Sequence, residues 1–457
     1  MPTMKKYISL LSIMTFLASC SSVEVKPELT LIPPGRVSNQ VPLDIRAAAE
    51  LPSGKKTTLT LTFEQDGKKE VIFSKDTILK KAGTVLLEHV QSIKDRPGDL
   101  NVVFEVNDGT ETFSKTRSVK VVDFHQRSLK TIDGAWIGMY HWSEDEGKHW
   151  NKDIKKLDEQ GWRGVVRSMH EVGMDVIVLQ EIFRNQEYVG KHSMTVDTYA
   201  GKAFYPSKLY PGRMDIACPD PVDVILSEAE KLGMNVFMGI GMYAWFDFSE
   251  QSLQWHKNVA TEAWEMYGKY DSFYGFYVSE ESGGSLDNWE QTEELRVQRR
   301  NEIVTFFDEF TKHCRALAPT KPIMLATNSM DLVGAEPTYE RLLPNLDILC
   351  PFGFARMPEH DLTGLEAAKL LQGLCDKCGS HFWFDLESFL FNPDMSLYPR
   401  DFEGIMNDLL MFDNFEKIFC YQYPGVFNNP DLHPQVGEDK SVDLYNKYRE
   451  YYKNITK

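Results

Sequence analysis

Residues 273–282 read FYGFYVSEES, and Gly283 and Gly284 follow directly. Apart from Gly275, the first six positions are aromatic or aliphatic, as in a strand covered on both faces, yet the run closes on two adjacent carboxylates, Glu280 and Glu281. A strand that avoids water along its length and meets it at one end suits a parallel barrel, whose C-terminal strand ends form an open mouth where active sites are built. Side chains alternate along a strand. Tyr274, Phe276 and Val278 are therefore expected to face surrounding helices, and Gly275, Tyr277, Ser279 and Glu281 the barrel axis. This points Glu281 into the mouth and leaves Glu280 beside it as a supporting group.

The same rhythm extends to either side. Apolar stretches at 134–142, 175–183, 235–243, 322–329, 347–354, 381–389 and 417–424 join the opening run to make eight candidate strands, nearly all separated by helical patterns. One such helix is signalled from Asp220 as N-cap and Pro221 at the first helical position through to Gly233. Eight alternating units within residues 125–457 predict an α/β chain with a (β/α)8 barrel. No GxGxxG or GxxxxGK turn follows any strand, which weighs against an open doubly wound sheet.

The seventh stretch, HFWFDLESF (381–389), supplies a second pair of acids. With Phe382, Phe384 and Leu386 turned to the helices, Trp383, Asp385 and Glu387 face the axis. Carboxylates from the fourth and seventh strands then converge on one cavity. Glycoside hydrolysis requires such a pair: one group protonates the leaving oxygen and the other attacks the anomeric carbon or activates water. Glu281 and Glu387 are the candidate catalytic pair. A sugar presents an apolar C–H face and a rim of hydroxyls, so its site calls for aromatic platforms beside amides and carboxylates. Asp385, Glu280, Gln180, Glu181, Tyr243, Trp245, Asn328, Tyr423 and Trp142, all at strand ends, are the candidates for that work. The long aromatic stretch 183–217 is expected to cover one side of the cleft. The alternative is a barrel that binds glycan without cleaving it.

The runs WNKDIKKLDEQG, GMDVIVLQE, DPVDVILSEAEKLGMNVFMGI, SFYGFYVSEES and HFWFDLESF, in that order, resemble the glycoside-hydrolase-like TIM barrels of bacterial lipoproteins, a family catalogued as a domain of unknown function. The resemblance spans residues 133–425. It implies a (β/α)8 fold and a retaining mechanism, with the acid/base at the end of strand four and the nucleophile at the end of strand seven, here Glu281 and Glu387. The chain departs from the commonest pattern of such enzymes, because Ser279-Glu280 stands where an asparagine would precede the acid/base.

Residues 27–124 have a different pattern. Period-two stretches at 41–47, 57–65, 85–90, 100–106 and 118–124 are separated by turn signals such as Asp66-Gly67 and Asn107-Asp108-Gly109, without a helical stretch of any length. They predict an immunoglobulin-like β-sandwich, read as a spacer. Ahead of it, Lys5 and Lys6 precede an apolar run that ends in Leu17-Ala18-Ser19-Cys20. This resembles a bacterial lipoprotein signal and implies a leader over residues 1–20, lipidation of Cys20, a tether over 21–26 and a place on a membrane of the cell envelope.

A net charge of -17 without a basic stripe argues against nucleic acid as a partner. Cys375 and Cys378 lack a second ligand pair, the eleven histidines are scattered, and no HExxH appears. No metal or cofactor is expected.

Overall fold

The computed structural model describes residues 25–141, 147–148, 151–185, 194–356 and 360–456. Cys20, with the leader around it, and Trp142 lie outside the described residues. Between Glu28 and Val122 every regular element is a strand. Glu28–Ile32, Leu43–Leu51 and Gly83–Gln91 form a three-stranded sheet; Gly35–Ser38, Thr112–Val122, Gly98–Asn107, Lys56–Gln65 and Lys68–Ile78 form a five-stranded one. Alternation builds the core between them: Leu59, Leu61 and Phe63 of one sheet are buried with Leu43, Ile45 and Ala47 of the other. Asp66 and Gly67, at φ 50° and 73°, make the two-residue turn between Lys56–Gln65 and Lys68–Ile78. The strand Lys68–Ile78 escaped the reading of the sequence because it is an exposed, lysine-rich edge with no clean apolar face.

From Gly134 onward, parallel strands run in the order His381–Phe382, Ile348–Leu349, Ile323–Thr327, Phe273–Ser282, Asn235–Gly239, Val176–Leu179, Gly134–Ile137, Ile418–Tyr421, Phe384–Glu387. The two ends of this nine-strand ribbon are separated in sequence by Trp383 alone, so the sheet comes round on itself into a nearly closed barrel. Each of the eight expected stretches carries a strand, the seventh in two pieces. Eight α-helices lie among the described residues. The helix Pro221–Leu232 has the predicted limits, with the Asp220 side chain accepting from the Asp223 N–H and Gly233 closing it at φ 70°. Its Val222, Ile225 and Ala229 share the layer between sheet and helices with Trp162, Val165 and Met169 of Glu159–Glu171.

Trp136, Val178, Phe237, Tyr277, Met324, Ile348, Trp383 and Phe419 fill the barrel interior. Tyr274 belongs to this set, contrary to the alternation expected of it. The register shifts between Val236 and Phe237, which face Phe273 and Gly275, and this bulge turns Tyr274 inward while Phe276 and Val278 keep their outward positions. Gly275 has no room for a side chain, since a Cβ would lie 2.5 Å from the Pro322 carbonyl oxygen.

The β unit forms the floor of this barrel. Ile32, completely buried, joins the interior cluster from below, and Tyr274 Oη donates to the Leu31 carbonyl at 2.7 Å. Beside it lies a buried charge network. Arg46 contacts Asp44 at 2.9 Å and Asp347 at 2.8 Å, and His381 sits 2.7 Å from Glu416 and 3.5 Å from Asp44. Burial alone would lower the His381 pKa, but Glu416 and Asp44 outweigh it and push it up to about 9. A folded-state pKa above the ordinary 6.5 means stability that is present below pH 6.5 and lost as pH rises through about 9. Unfolding free energy is expected to fall by up to about 3 kcal/mol across that window. Denaturant titrations at pH 6 and pH 9 check this, and His381→Gln should flatten the difference.

Candidate active site

The mouth is built from strand ends that the interior packing holds in place. Tyr277, Ser279 and Glu281 from the fourth strand, Asp385 from the seventh, Gln180 and Glu181 from the second, and Tyr421 from the eighth line one cavity over a floor of Trp136 and Ala326. Alternation above Gly275 puts Glu281 on this face, with Ser279 below it. Glu387 continues the inward set of strand seven, being buried in register with Tyr421.

Four carboxyl groups thus meet two guanidinium groups. Glu181 is fully buried and ion-paired with Arg184, whose Nε lies 2.8 Å away and whose Nη1 donates to the His141 carbonyl at 2.6 Å. Its Oε2 is buried without a hydrogen-bond partner. Glu387 is hydrogen-bonded to Arg356, from the loop after the sixth strand, and the Arg356 guanidinium lies over the Phe389 ring at 5.1 Å. Among the described residues, Glu281 and Asp385 have no such ion pair.

Electrostatics separates these groups. Burial, reinforced by the Glu387 charge, pushes the Glu281 carboxyl up to about 7, against a hydrogen bond from the Trp245 side chain. Burial and then the Glu387 and Glu281 charges hold Asp385 well above the usual carboxylate range. Burial raises Glu387 as well, but the Arg356 hydrogen bond and charge oppose it. Burial thus raises all four carboxyls, and Arg356 at Glu387 and Arg184 at Glu181 work against it, so the cations favour the anion more at those two groups than at Glu281 and Asp385.

Several residues expected at the mouth have other work. Glu280 is fully buried on the opposite side of the strand, where its Oε1 accepts from the Tyr243 and Ala244 N–H groups at 2.6 and 3.1 Å. It clamps the loop that carries Trp245. Tyr243 packs among Tyr199 and Trp255 outside the barrel, and its hydroxyl donates to the Met194 carbonyl at 2.6 Å. Tyr423 lies under the helices, 2.5 Å from the Ser168 hydroxyl. Both follow strands that end earlier, at Gly239 and Tyr421, so the period of two no longer governs their direction. Asn328 Oδ1 accepts from the Gly284 and Met330 N–H groups at 2.8 and 3.1 Å, which fastens the loop after strand four. Gln180 does line the cavity and accepts from the Tyr421 hydroxyl at 3.2 Å. In the stretch 183–217, of which 186–193 lie outside the described residues, Tyr199, Phe204 and Tyr205 are buried in the layer between sheet and helices, so these three aromatics are core and do not line the cleft.

Arg356 was missed from the sequence. It follows strand six by several residues, and a lone arginine in a loop carries no pattern. Tyr277 was placed on the axis, but its part in the site needed the cavity to be seen. Among the described residues Asp331, His360 and Asp361 could share a cation, but both Asp361 oxygens accept the N–H groups of Asp331 and Val333 at 2.9 and 2.8 Å, which makes the trio a clasp between two loops.

The family model described as Domain of unknown function (DUF4434) matches residues 132–434. No curated protein matches the chain. Among solved structures, a candidate alpha-L-fucosidase from Bacteroides thetaiotaomicron aligns with a TM-score of 0.52 at 20% identity, over 72% of this chain and 96% of that one. A Bacteroides uniformis beta-glucuronidase aligns with a TM-score of 0.42 at 13% identity, over 93% of this chain and 50% of that one. An Eisenbergiella tayi beta-galacturonidase bound to galacturonate aligns with a TM-score of 0.42 at 11% identity, over 94% of this chain and 72% of that one. The chain spans half the length of the glucuronidase. The first of these likenesses shows a shared fold.

Proposed function

We propose that this chain, which belongs to the family described as Domain of unknown function (DUF4434), is a glycoside hydrolase that cleaves O-glycosidic bonds of a polysaccharide or glycan with Glu281 and Glu387. The observation that carries the reading is the unequal setting of those two carboxyls at one mouth: burial pushes Glu281 up to about 7 without an ion-pair partner among the described residues, whereas at Glu387, also raised by burial, the ion-paired Arg356 works against the rise. The fold shared with the candidate alpha-L-fucosidase is compatible with it.

The mechanism read here is of the retaining type, as the family resemblance implies. Glu387 attacks the anomeric carbon while Glu281 gives its proton to the departing glycosidic oxygen, so one C–O bond forms as another breaks. Glu281, now a carboxylate, takes a proton from water. The hydroxide so formed displaces Glu387 and releases the sugar with its original configuration. Asp385, whose carboxyl burial holds well above the usual range, and Glu181 Oε2 face sugar hydroxyls as polar partners. The Glu280 clamp fixes the loop that holds Trp245 beside Glu281.

The wider architecture is read in the same sense. The split seventh strand counts as one, which makes the barrel a (β/α)8 barrel over residues 125–457. Residues 27–124 are an immunoglobulin-like sandwich in which the two sheets face each other. Residues 1–20 are a leader, Cys20 a lipidated anchor and 21–26 a tether, which places the enzyme on a membrane of the cell envelope.

The test is the pH profile of kcat/KM on glycosides that the protein turns over. Loss of the Glu281 proton should give an alkaline limb near pH 7, with activity falling as pH rises through it. Trp245→Phe removes the hydrogen bond that lowers this pKa, so the limb should move to higher pH. A limb that stays in place in the variant assigns the titration to another group.

A further inference from the structure

The site continues outward from Glu281 along a row of aromatic rings. Trp245, near enough to Glu281 to lower its pKa, stacks on Phe246 with centroids 4.9 Å apart and planes 11° from parallel. Phe246 in turn meets Trp289 edge to face at 5.4 Å. Trp289 is 40% exposed, whereas Trp136, Trp162, Trp255 and Trp383 are fully buried. Its ring lies against Gly283, two residues past Glu281, so closely that a Cβ at Gly283 would come within 2.8 Å of it. The row therefore runs from the proposed acid to the surface, on the strand-four side of the mouth.

Packing does not account for this arrangement. Phe246, Leu286, Asn288 and Trp289 have φ of 66°, 58°, 54° and 54°, a left-handed conformation that is costly for bulky side chains. A dedicated set of bonds holds it. Asn288 Nδ2 donates to the Phe246 carbonyl at 2.5 Å, the Trp289 N–H and the Ser285 hydroxyl donate to Asp287 Oδ1 at 3.1 and 2.6 Å, and Arg300 holds the other Asp287 oxygen at 2.8 Å. Two loops from neighbouring strands are tied together, and the outcome is an indole held rigid and open to water beside the acid. A flat, immobile aromatic face next to a group that protonates a leaving oxygen is what stacks on the C–H face of a pyranose.

We propose that Trp289, with Phe246 at its edge, is the platform for the sugar unit on the leaving-group side of the scissile bond, so that the substrate is an oligosaccharide or glycan chain. The proposal rests on the reading of Glu281 as the acid. An acid sits beside the oxygen that departs, and the unit attached to that oxygen extends past Glu281 and away from Glu387. Trp289 is a specificity residue there and takes no part in bond cleavage.

The experiment compares the parent protein, Trp289→Ala and Trp289→Phe on aryl glycosides and on oligosaccharides of two to six units of the same sugar. In Trp289→Ala the ratio of kcat/KM on oligosaccharide to kcat/KM on aryl glycoside should fall about tenfold, as the loss of one aromatic stacking contact implies. Trp289→Phe should restore most of it. An unchanged ratio, or a parent that cleaves aryl glycosides but no oligosaccharide, overturns the platform and leaves the carboxylate pair standing. Calorimetric titration of the same oligosaccharides into Glu281→Gln gives a readout independent of turnover. Affinity should rise from one unit to two, and adding Trp289→Ala should cancel the rise. Binding of this kind in a parent without turnover would overturn the hydrolase and keep the platform, and absence of both would overturn both.

Discussion

Glu281→Gln and Glu387→Gln should each lower kcat/KM by a factor of roughly 10²–10⁴, the range over which a positioned acid, base or nucleophile contributes, while the affinity for sugar is kept. Glutamine fills the same volume as glutamate, so the cavity and its packing are preserved, but it neither carries a transferable proton at position 281 nor attacks carbon at position 387. The two variants should fail differently. Glu281→Gln should be least impaired on substrates with a good leaving group, which needs little protonation. Glu387→Gln should be impaired on all substrates and leaves Arg356 facing an uncharged partner. Steady-state kinetics on an activated aryl glycoside and on a natural linkage would separate the two patterns. Full turnover in both variants would place the chemistry on other residues, whereas a parent that binds glycan and shows no turnover would be a glycan-binding barrel.

Arg46→Met is expected to cost about 3–5 kcal/mol of unfolding free energy, the price of breaking a buried ion pair by removing one partner. Arg46 bridges Asp44 of the β unit to Asp347 at the base of strand six, and the same cluster includes His381 at the start of strand seven and Glu416 just before strand eight. Without the guanidinium, Asp44 would remain beside His381 and Asp347 beside Arg315, each short of one cation. The double variant Arg46→Met, Asp44→Asn should recover part of the loss, because the charge left uncompensated is then removed as well. Urea unfolding of the parent, Arg46→Met, Asp44→Asn and the double variant measures this. The β unit, expected as a spacer, is on this account the floor that fixes the strands carrying Asp385 and Glu387, so the loss should be accompanied by lower activity. A cost below about 1 kcal/mol, the range of a surface pair, would mean the two units are only loosely joined.

Much of the barrel was legible because it depends on period and punctuation. The helix Pro221–Leu232 announced itself through Asp220, Pro221 and Gly233, and strand seven through the strict alternation of Phe382, Phe384 and Leu386 with Trp383, Asp385 and Glu387. Legibility failed where backbone geometry departs from the ideal. A bulge opposite Val236 and Phe237 turned Tyr274 to the axis, and the early end of strand three sent Tyr243 out of the mouth. The ending of FYGFYVSEES is explained by both of its acids: Glu281 serves the cavity, and the buried Glu280 bonds the backbone of the neighbouring loop. Contacts between distant parts of the chain had no signal at all. Arg356 reaches Glu387 across 31 positions, and Trp289 reaches Phe246 through a turn whose left-handed residues include none of the glycines that usually mark one.

The most direct test of the account is covalent trapping. The protein would be incubated with the 2-deoxy-2-fluoro derivative of a glycoside that it hydrolyses, and the labelled peptide identified by mass spectrometry. The account predicts a single glycosyl adduct on Glu387, absent from Glu387→Gln. An adduct on Asp385 or Glu181, or an unlabelled protein whose first product has the inverted configuration, would contradict it.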